Sequence, residues 1–497
     1  MDKMQRYLAF DLGAESGRAV AGVLEKGRLT LEEIHRFWNK PVWMKNALHW
    51  DFPCLLREMQ DGLIKFVRTF DQAPSGISCD SWGVDFGLLD KQGNLLGNPV
   101  HYRDNRTEGM PDRVFSKVSR QDIYSRAGIQ FMQLNTIFQV EHLASSGDLQ
   151  WEMTDKFLHI ADLVHYFFSG AMVVESSLAS TSQLYDACQR AWCRDLIDRL
   201  GYPFEKFPEI VPSGTRIGTL DDGLADFIGL SNKHRNSPVI ASLSHDTAAA
   251  VAAVPADPKT SWAYLSSGTW SLLGVELAEP ILSEEAEKHN FTNEGGAERT
   301  VRFLKNIMGL WILQECRRTW EKQGIVLDYE TIAGLAAEAR PQLAFIDPDD
   351  STFFAPGDMP ERVQSYCHST GQPVPEGPGA MARCIYESLA LKYRNNLEQM
   401  EKLIGRKIEV LHIVGGGGKN RFLNQVVADV LGIPVVVGPT EATAIGNIIT
   451  QAVAMNEVGG LWEGRQIIGQ SFEIERYAPT DTSGWSSAFQ RFQEMLS

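Results

Sequence analysis

Residues 7–25 read YLAFDLGAESGRAVAGVLE, and residues 263–277 read AYLSSGTWSLLGVEL. In each, an apolar run breaks at a short Gly/Ser turn and resumes as a second apolar run, the pattern of a strand, a tight turn and a returning strand. After the first copy, the turn KGR and the run LTLEEIHRF carry the meander on to Phe37. Two such hairpins in one chain have two readings, a duplicated domain or the chance likeness of any two hairpins. Working outward, the strand-like runs PSGISCDSWGVDFGLLD and PVIASLS alternate with helical periodicity around Ala161 to Phe168. LKNIMGLWILQECRRTW and ARCIYESLALKYRNNLEQM read as helices. LHIVGGGG leads a strand into a glycine loop, NRFLNQVVADVLG is an amphipathic helix closed by a glycine, and IPVVVG is a short buried strand. Strands alternating with helices predict an α/β protein.

Composition bounds the function. A formal charge of -16 over 497 residues, with 43% hydrophobic and 22% charged residues, describes a globular chain and not a disordered one. At about 150 residues per domain the length suits three domains or two larger lobes. The acidic field repels nucleic acid and anionic lipid, so small molecules are the expected partners and any phosphate must be held by local donors. The opening MDKMQRYLAFDLGAESG reaches Asp11 and a glycine turn before a long apolar stretch forms, and no run approaches the roughly 18 apolar residues of a membrane span, so a cytoplasmic protein is expected. The seven cysteines contain no C-x-x-C pair, which argues against a disulfide scaffold or a zinc site. Cys367 and Cys384 are open to pairing, with buried free thiols the preferred reading.

Six segments can carry chemistry. In LGAESGR, Gly13 and Gly17 allow a tight turn whose N–H groups point at an anion, and Arg18 adds a positive fork; a plain hairpin turn is the alternative. The turn Ser266–Thr269 has the same two readings. Gly415–Gly418 fails as a Walker loop, because Lys419 is followed by Asn420 and position 413 is Ile, and it fails as a dinucleotide fingerprint as well. A bare backbone loop before a helix remains, suited to a base or a phosphate, or simply to a tight connection. In SHDTA, Asp246 follows a strand and precedes an Ala-rich helix, where it serves either as a proton acceptor for a sugar hydroxyl or as an ordinary helix cap. DSWGVD at 80–85 and YRDNRT at 102–107 are polar where a buried strand or helix start prefers apolar residues, with a core place for Trp82 and a solvated turn for Arg103 and Arg106 as the plain alternatives. VPADPK at 254–259 is the candidate domain boundary, since two prolines and two charges interrupt the Ala-rich helix.

Taken together, DLGAESGR, SWGVDF, YRDNRT, SHDTA, YLSSGTWSL, NEGGA, LKNIMGLW and LHIVGGG resemble, in order, the motifs of the FGGY carbohydrate kinases, from about Tyr7 to Ile448. The resemblance implies two actin-like, ribonuclease H-like ATPase domains with an active-site cleft between them: residues 1–254, with the sugar site, the first phosphate loop and the catalytic base, and residues 260–455, which bind nucleotide. Residues 456–497 are expected as a tail packed on the second domain. The implied activity is transfer of the γ-phosphoryl group of ATP, with Mg2+, to O1 of a ketose. L-rhamnulose is the first expectation; L-fuculose and L-xylulose, or a non-catalytic actin-like nucleotide binder, are the alternatives. By resemblance, Ala14, Glu15, Ser16, Gly17 and Arg18 form the first phosphate loop, and Thr269, Gln314 and Gly416 are nucleotide positions. Gly83, His245, Asp246, Thr247 and Asn306 are sugar positions, Asp246 is the catalytic base, and Asp11 is the magnesium ligand. Glu15 is expected to contribute its backbone N–H alone, because an acid beside a triphosphate repels it. The residues that read the sugar's C3 to C6 groups, for which Trp82, Asp85, Arg103 and Asp104 are candidates, and the oligomeric state are left open.

Overall fold

The computed structural model describes residues 4–496. The chain divides into two compact units, the first formed by residues up to Pro255, Glu276–Phe303 and Ala442–Ser471, the second by Ala256–Val275, Leu304–Glu441 and residues from Phe472 on.

The first unit is built on a six-stranded sheet made of β1 (Gln5–Leu12), β2 (Ser16–Glu25), β3 (Arg28–Trp38), β4 (Gly76–Ser81), β5 (Thr215–Thr219) and β6 (Pro238–Ala241), in the order β5-β6-β4-β1-β2-β3. β1 lies in the middle, antiparallel to β2 and parallel to β4, and its apolar run Tyr7–Phe10 is fully buried, as a strand covered on both faces requires. The meander read from the first stretch is this β1-β2-β3 ladder. Helix α1 (Phe52–Phe70) packs on β2 and β3, and α2 (Ile160–Ser169) packs on β4 and β6.

The second unit repeats the plan. β7 (Trp262–Ser267), β8 (Trp270–Leu277), β9 (Val301–Met308), β10 (Val410–Val414), β11 (Val435–Val437) and β12 (Glu475–Tyr477) run in the order β12-β11-β10-β7-β8-β9. β7 is antiparallel to β8 and parallel to β10, as β1 is to β2 and β4. β10 and β11 are parallel and β11 and β12 antiparallel, matching β4 with β6 and β6 with β5. Five strands in each unit, β1, β2, β3, β4 and β6 against β7 to β11, follow one chain order across the sheet, while the edge strands β5 and β12 fill the same place from different points in the chain and Thr292–Gly295 adds a seventh strand beyond β9. This goes well beyond the likeness of two hairpins, so the structure favours the duplication reading.

Two expectations are corrected. LKNIMGLWILQECRRTW is not one helix: its first residues lie in β9, and the helix begins at Trp311 and ends at Lys322. Apolar residues spaced to suit either period hid the break, which falls at Gly309, where a Cβ would come within 2.8 Å of Gly268 O. The units are also not contiguous in sequence, and the tail is divided between them. Helix α3 (Ala442–Ala454) packs on β1 and β4, with Gln451 Nε2 donating to Leu8 O at 3.1 Å. The helix Leu461–Ser471 follows it into the first unit, where the fully buried Arg465 donates to Glu276 at 2.7 Å and to Val251 O at 3.1 Å. Such pairings across the sequence leave no local signal. All seven cysteines are free, and Cys367 and Cys384 are both buried thiols.

Gly446 of α3 allows the closest of these approaches, since a Cβ there would lie 1.8 Å from Ala249 O. Gly446→Ala is therefore expected to cost at least about 1 kcal/mol of stability, read as a fall in the thermal midpoint; wild-type stability would refute the packing. The core also buries three neutral histidines. Burial pulls His101 and His159 down to about 4 and His165 down to about 3, with Arg103 adding to the effect at His101. A ring whose pKa is lower in the folded than in the unfolded state, where it is about 6.5, supports the fold above that pH and loses the contribution as the pH falls. In 15N-histidine spectra of the folded protein at pH 5, the rings of His101, His159 and His165 are expected to remain neutral; titration of these three near 6.5 would contradict this.

Candidate functional site

The first loop begins where β1 turns into β2. Gly13 N donates to Ser16 O at 2.9 Å, and Asn39 braces the turn from outside, its N–H on Glu15 O at 3.0 Å and its side-chain amide on Gly13 O at 2.9 Å. Gly17 has to be glycine because a Cβ would sit 2.3 Å from the Phe37 ring. Glu15 is exposed and Ala14 and Ser16 are half-buried, so the turn presents its backbone at the surface of the unit. Asp11 and Arg18 face each other across the hairpin, Arg18 donating to Asp11 Oδ2 through Nε at 2.9 Å and Nη2 at 2.6 Å.

Asp11 has a second neighbour in register, Asp80 on β4. Asp80 is fully buried; Oδ2 accepts from Asn447 of α3 at 2.6 Å and Oδ1 has no partner. Burial, then the Asp11 charge, pushes its carboxyl well above the usual range and favours the protonated acid. Beyond Asp80 the strand end runs beside the segment carrying Asp246, with Ser81 N donating to Ser244 O at 2.9 Å. That segment is anchored from below: the buried Glu175 accepts from Ser244 N at 3.2 Å, and Ser177 Oγ accepts from His245 N at 3.1 Å.

The helix after this segment starts at Asp246 itself, and no side chain caps it, so the capping alternative for Asp246 does not hold. Its Oδ1 accepts from Thr247 N at 2.5 Å and from Thr247 Oγ1 at 3.1 Å, and the side chain remains 32% exposed. Partial burial pushes the carboxyl up, the His245 ring pulls it back, and Asp11 pushes it up again. The result is an accessible carboxylate oriented by donors, the arrangement of a proton acceptor.

Gly83 lies on the same strand end, close under Thr181, whose Oγ1 a Cβ would approach to 3.0 Å. Its neighbour Val84 has a φ of 68°, a costly conformation for a β-branched residue, and is held there by Thr136 Oγ1 donating to Val84 O at 2.8 Å. Asp85 does not read a ligand directly. Its Oδ2 accepts from Trp50 Nε1 at 2.7 Å, Trp82 Nε1 at 3.1 Å and Tyr102 N at 3.1 Å, while Oδ1 accepts from Gln139 at 3.0 Å. Burial pushes it up to about 6 against these four donors. The carboxylate thereby fixes the indoles of Trp50 and Trp82, whose rings meet at 4.1 Å, and the stack of Trp50 on His101. Asp104 is likewise used by the fold, accepting from Leu48 N at 2.8 Å and Arg106 N at 2.9 Å. Arg103 is exposed, its guanidinium over the Tyr102 ring.

In the second unit Thr269 is at the tip of the β7-β8 hairpin. Its carbonyl accepts from Gly309 N at 3.1 Å and Trp311 N at 3.2 Å, docking the helix Trp311–Lys322 on the turn and placing Gln314 in that helix's first turn. The glycine loop after β10 packs on the same hairpin: Gly415 has a φ of 89° and a Cβ there would meet Ser267 O at 2.8 Å, while one at Gly417 would meet Ser267 Oγ at 2.1 Å. A Cβ at Gly416 would meet nothing within 4 Å. Thr269, Gln314 and Gly416 are thus gathered around one hairpin end with the loop backbone facing open space. Asn306 is on β9, half-buried, next to Lys305, which burial pulls down to about 8.

The sequence reading gave no role to the buried Asp80, Glu175, Glu294 and Arg302, although DSWGVD and NEGGA carry two of them; Asp80 meets Asn447 and Glu175 meets Ser244 from far along the chain, while Glu294 and Arg302 pair eight residues apart. Among the described residues no group of three or more His, Cys, Asp or Glu is placed to hold a metal ion, and no helix is long and apolar enough to cross a membrane.

Models of the FGGY family of carbohydrate kinases match the chain twice, the N-terminal domain over residues 6–252 and the C-terminal domain over residues 263–455. The rhamnulokinase of Bacteroides thetaiotaomicron is 44% identical over 99% of this chain and 99% of its own length. That of Oceanobacillus iheyensis is 39% identical over 97% and 100%, and that of Enterococcus faecalis 42% identical over 95% and 94%. Among solved structures, the gluconate kinase of Lactobacillus acidophilus superposes with a TM-score of 0.82 at 16% identity, covering 99% of this chain and 98% of that one. The glycerol kinase of Plasmodium falciparum with ADP gives 0.80 at 12% identity over 99% and 98%. At such identities these structures bear on the fold alone, and the fold agrees with the family models: the chain belongs to the FGGY family of carbohydrate kinases.

Proposed function

We propose that the chain transfers the γ-phosphoryl group of ATP to O1 of L-rhamnulose, giving L-rhamnulose 1-phosphate and ADP in L-rhamnose breakdown. The observation that carries the chemistry is Asp246, an accessible carboxylate whose Oδ1 is met by Thr247 N, Thr247 Oγ1 and the His245 ring. The sugar follows from the relatives, which are named rhamnulokinases and align over nearly the whole chain.

Phosphoryl transfer needs in-line positioning, neutralisation of charge and an acceptor for the hydroxyl proton. Asp246 takes the proton of the sugar O1–H as that oxygen attacks phosphorus. Thr247 holds the carboxylate through Oδ1. Gly83, His245, Thr247 and Asn306 are assigned to the sugar. The loop Ala14–Arg18 receives phosphate through backbone N–H groups, with Glu15 turned outward. Thr269, Gln314 and Gly416 are assigned to the nucleotide, the open face of Gly416 leaving room for a flat group against bare backbone. Residues 1–254 thereby act as the sugar and phosphate domain and residues 260–455 as the nucleotide domain.

Mg2+ fits this donor set. It is a hard cation that keeps water and phosphate ligands and needs one or two carboxylates. Asp11, 12% exposed and already paired with Arg18, offers one carboxylate without a closed protein cage. When bound, the ion supplies charge neutralisation at the phosphates. Arg18 meanwhile keeps Asp11 from adding an unbalanced charge beside the loop.

A coupled ADP-release assay over L-rhamnulose, L-fuculose, L-xylulose, D-xylulose and glycerol, with 31P detection of the product, tests the reading. The expected outcome is a kcat/KM for L-rhamnulose at least about tenfold above every other sugar, about 1.4 kcal/mol and so within the roughly 1–3 kcal/mol of a single methyl contact, with phosphate on O1. No turnover with ATP binding retained would overturn it. Glu15→Ala is expected to leave the KM for ATP within about threefold, since less than 1 kcal/mol separates the two at that ratio; a larger rise would give the side chain a role.

A further inference from the structure

His245 precedes the proposed base and sits in a buried chain of polar groups. Its Nδ1 is 2.9 Å from Arg302 Nη2 and 3.4 Å from Glu294 Oε2. Its Nε2 is 3.5 Å from Asp246 Oδ1. Arg302, 0% exposed, is held from two further sides, Nη2 reaching Glu294 Oε2 at 2.9 Å and Nε donating to Gly295 O at 2.9 Å. Burial opposes ionisation of Glu294, yet the Arg302 charge outweighs it and holds the carboxyl down at about 2.

The distances decide the state of the ring. A guanidinium has donors only, so a nitrogen 2.9 Å from Arg302 Nη2 has to present a lone pair. A proton on Nδ1 would face a second proton there, and the more distant Glu294 oxygen cannot offset that clash. The ring proton then belongs on Nε2, the nitrogen that faces Asp246 Oδ1. From Arg302 through His245 to Asp246 each link would point a donor toward the base. At 3.5 Å the last contact is long, of the kind that tightens when substrate binds.

We propose that Arg302, oriented by Glu294, is a positioning residue that holds His245 in the Nε2–H tautomer, so that its N–H supports Asp246 as a carboxylate. The inference rests on the assignment of Asp246 as the base, and it gives NEGGA and the arginine ahead of LKN a role in the reaction that no loop motif conveys. The need is electrostatic. Asp246 is pushed toward its neutral form by burial and by Asp11, and a hydrogen bond to the charged form opposes both. With the other tautomer, Nε2 would turn a lone pair on the carboxylate and add to the repulsion.

The test is read first on the native enzyme. Spectra of 15N-histidine-labelled protein, with the His245 ring identified by its loss in His245→Asn, are expected to show a pyridine-type Nδ1 and a pyrrole-type Nε2. A proton on Nδ1 at neutral pH would overturn the proposal whatever the variants do. In Arg302→Met the ring is expected to shift its proton to Nδ1, toward Glu294. The kcat should fall about 10- to 100-fold, part of the ~10²–10⁴ that a positioned base contributes, with the KM for L-rhamnulose within about threefold. Arg302→Lys, which keeps a donor, is expected to retain the native tautomer and recover most of kcat. If Arg302→Met does not fold, the native tautomer and the Lys variant still decide. An unchanged kcat in folded Arg302→Met would refute the proposal. Full activity in Asp246→Asn with the native His245 tautomer intact would instead refute the base.

Discussion

Three carboxylates, Asp11, Asp80 and Asp246, stand within each other's electrostatic reach at one end of the first sheet, and the protein has to keep one of them both charged and accessible. Left alone they would share protons, since like charges in a poorly solvated site raise one another's affinity for them. The structure handles each differently. Asp11 is paired with Arg18 across the hairpin. Asp80 is buried, biased toward the neutral acid and bonded to Asn447. Asp246 receives Thr247 and the edge of His245. Much else serves this arrangement: α3 returns from the far end of the chain to deliver Asn447, and Glu175 with Ser177 fixes the backbone that aims Asp246.

The acidic composition is compatible with a triphosphate substrate for the same reason. On the proposed reading phosphate meets backbone N–H groups at a hairpin turn, and two cations of the first unit are committed in advance, Arg18 to Asp11 and Arg302 to Glu294. Glycine is required where backbone must come close: at Gly17 beneath Phe37, and at Gly415 and Gly417 against Ser267. The same hairpin-and-parallel-strand plan is used in both units and elaborated differently, one unit adding acids at the strand ends and the other a bare glycine loop.

What was legible in the sequence follows the range of the interactions involved. Both hairpins, the glycine loop and the helix from Arg421 to Leu431 with its Asn420 cap and Gly432 terminus are local patterns, and they were readable as such. SHDTA could be located between a strand and a helix, but whether Asp246 capped that helix depended on where the first turn begins, a matter of one residue. The strand hidden in LKNIMGLW was lost because its apolar spacing suits either period and only Gly309 marks the break. Asp85 looked like a ligand-reading acid; that its oxygens are taken by Trp50, Trp82, Tyr102 and Gln139 depends on segments folding together from four parts of the chain. Glu294 and Arg302 pair eight residues apart, yet they are silent in sequence because a buried ion pair has no periodicity.

The central claim is that Asp246 accepts the proton of the attacking hydroxyl. Single-turnover transfer from ATP to L-rhamnulose by Asp246→Asn tests it most directly, because the amide keeps the size of the side chain and removes only its capacity as a base. Loss of the transfer step by about 10²–10⁴-fold, the contribution of a positioned general base, with both substrates still bound, is the predicted result. Transfer at the native rate would contradict the account.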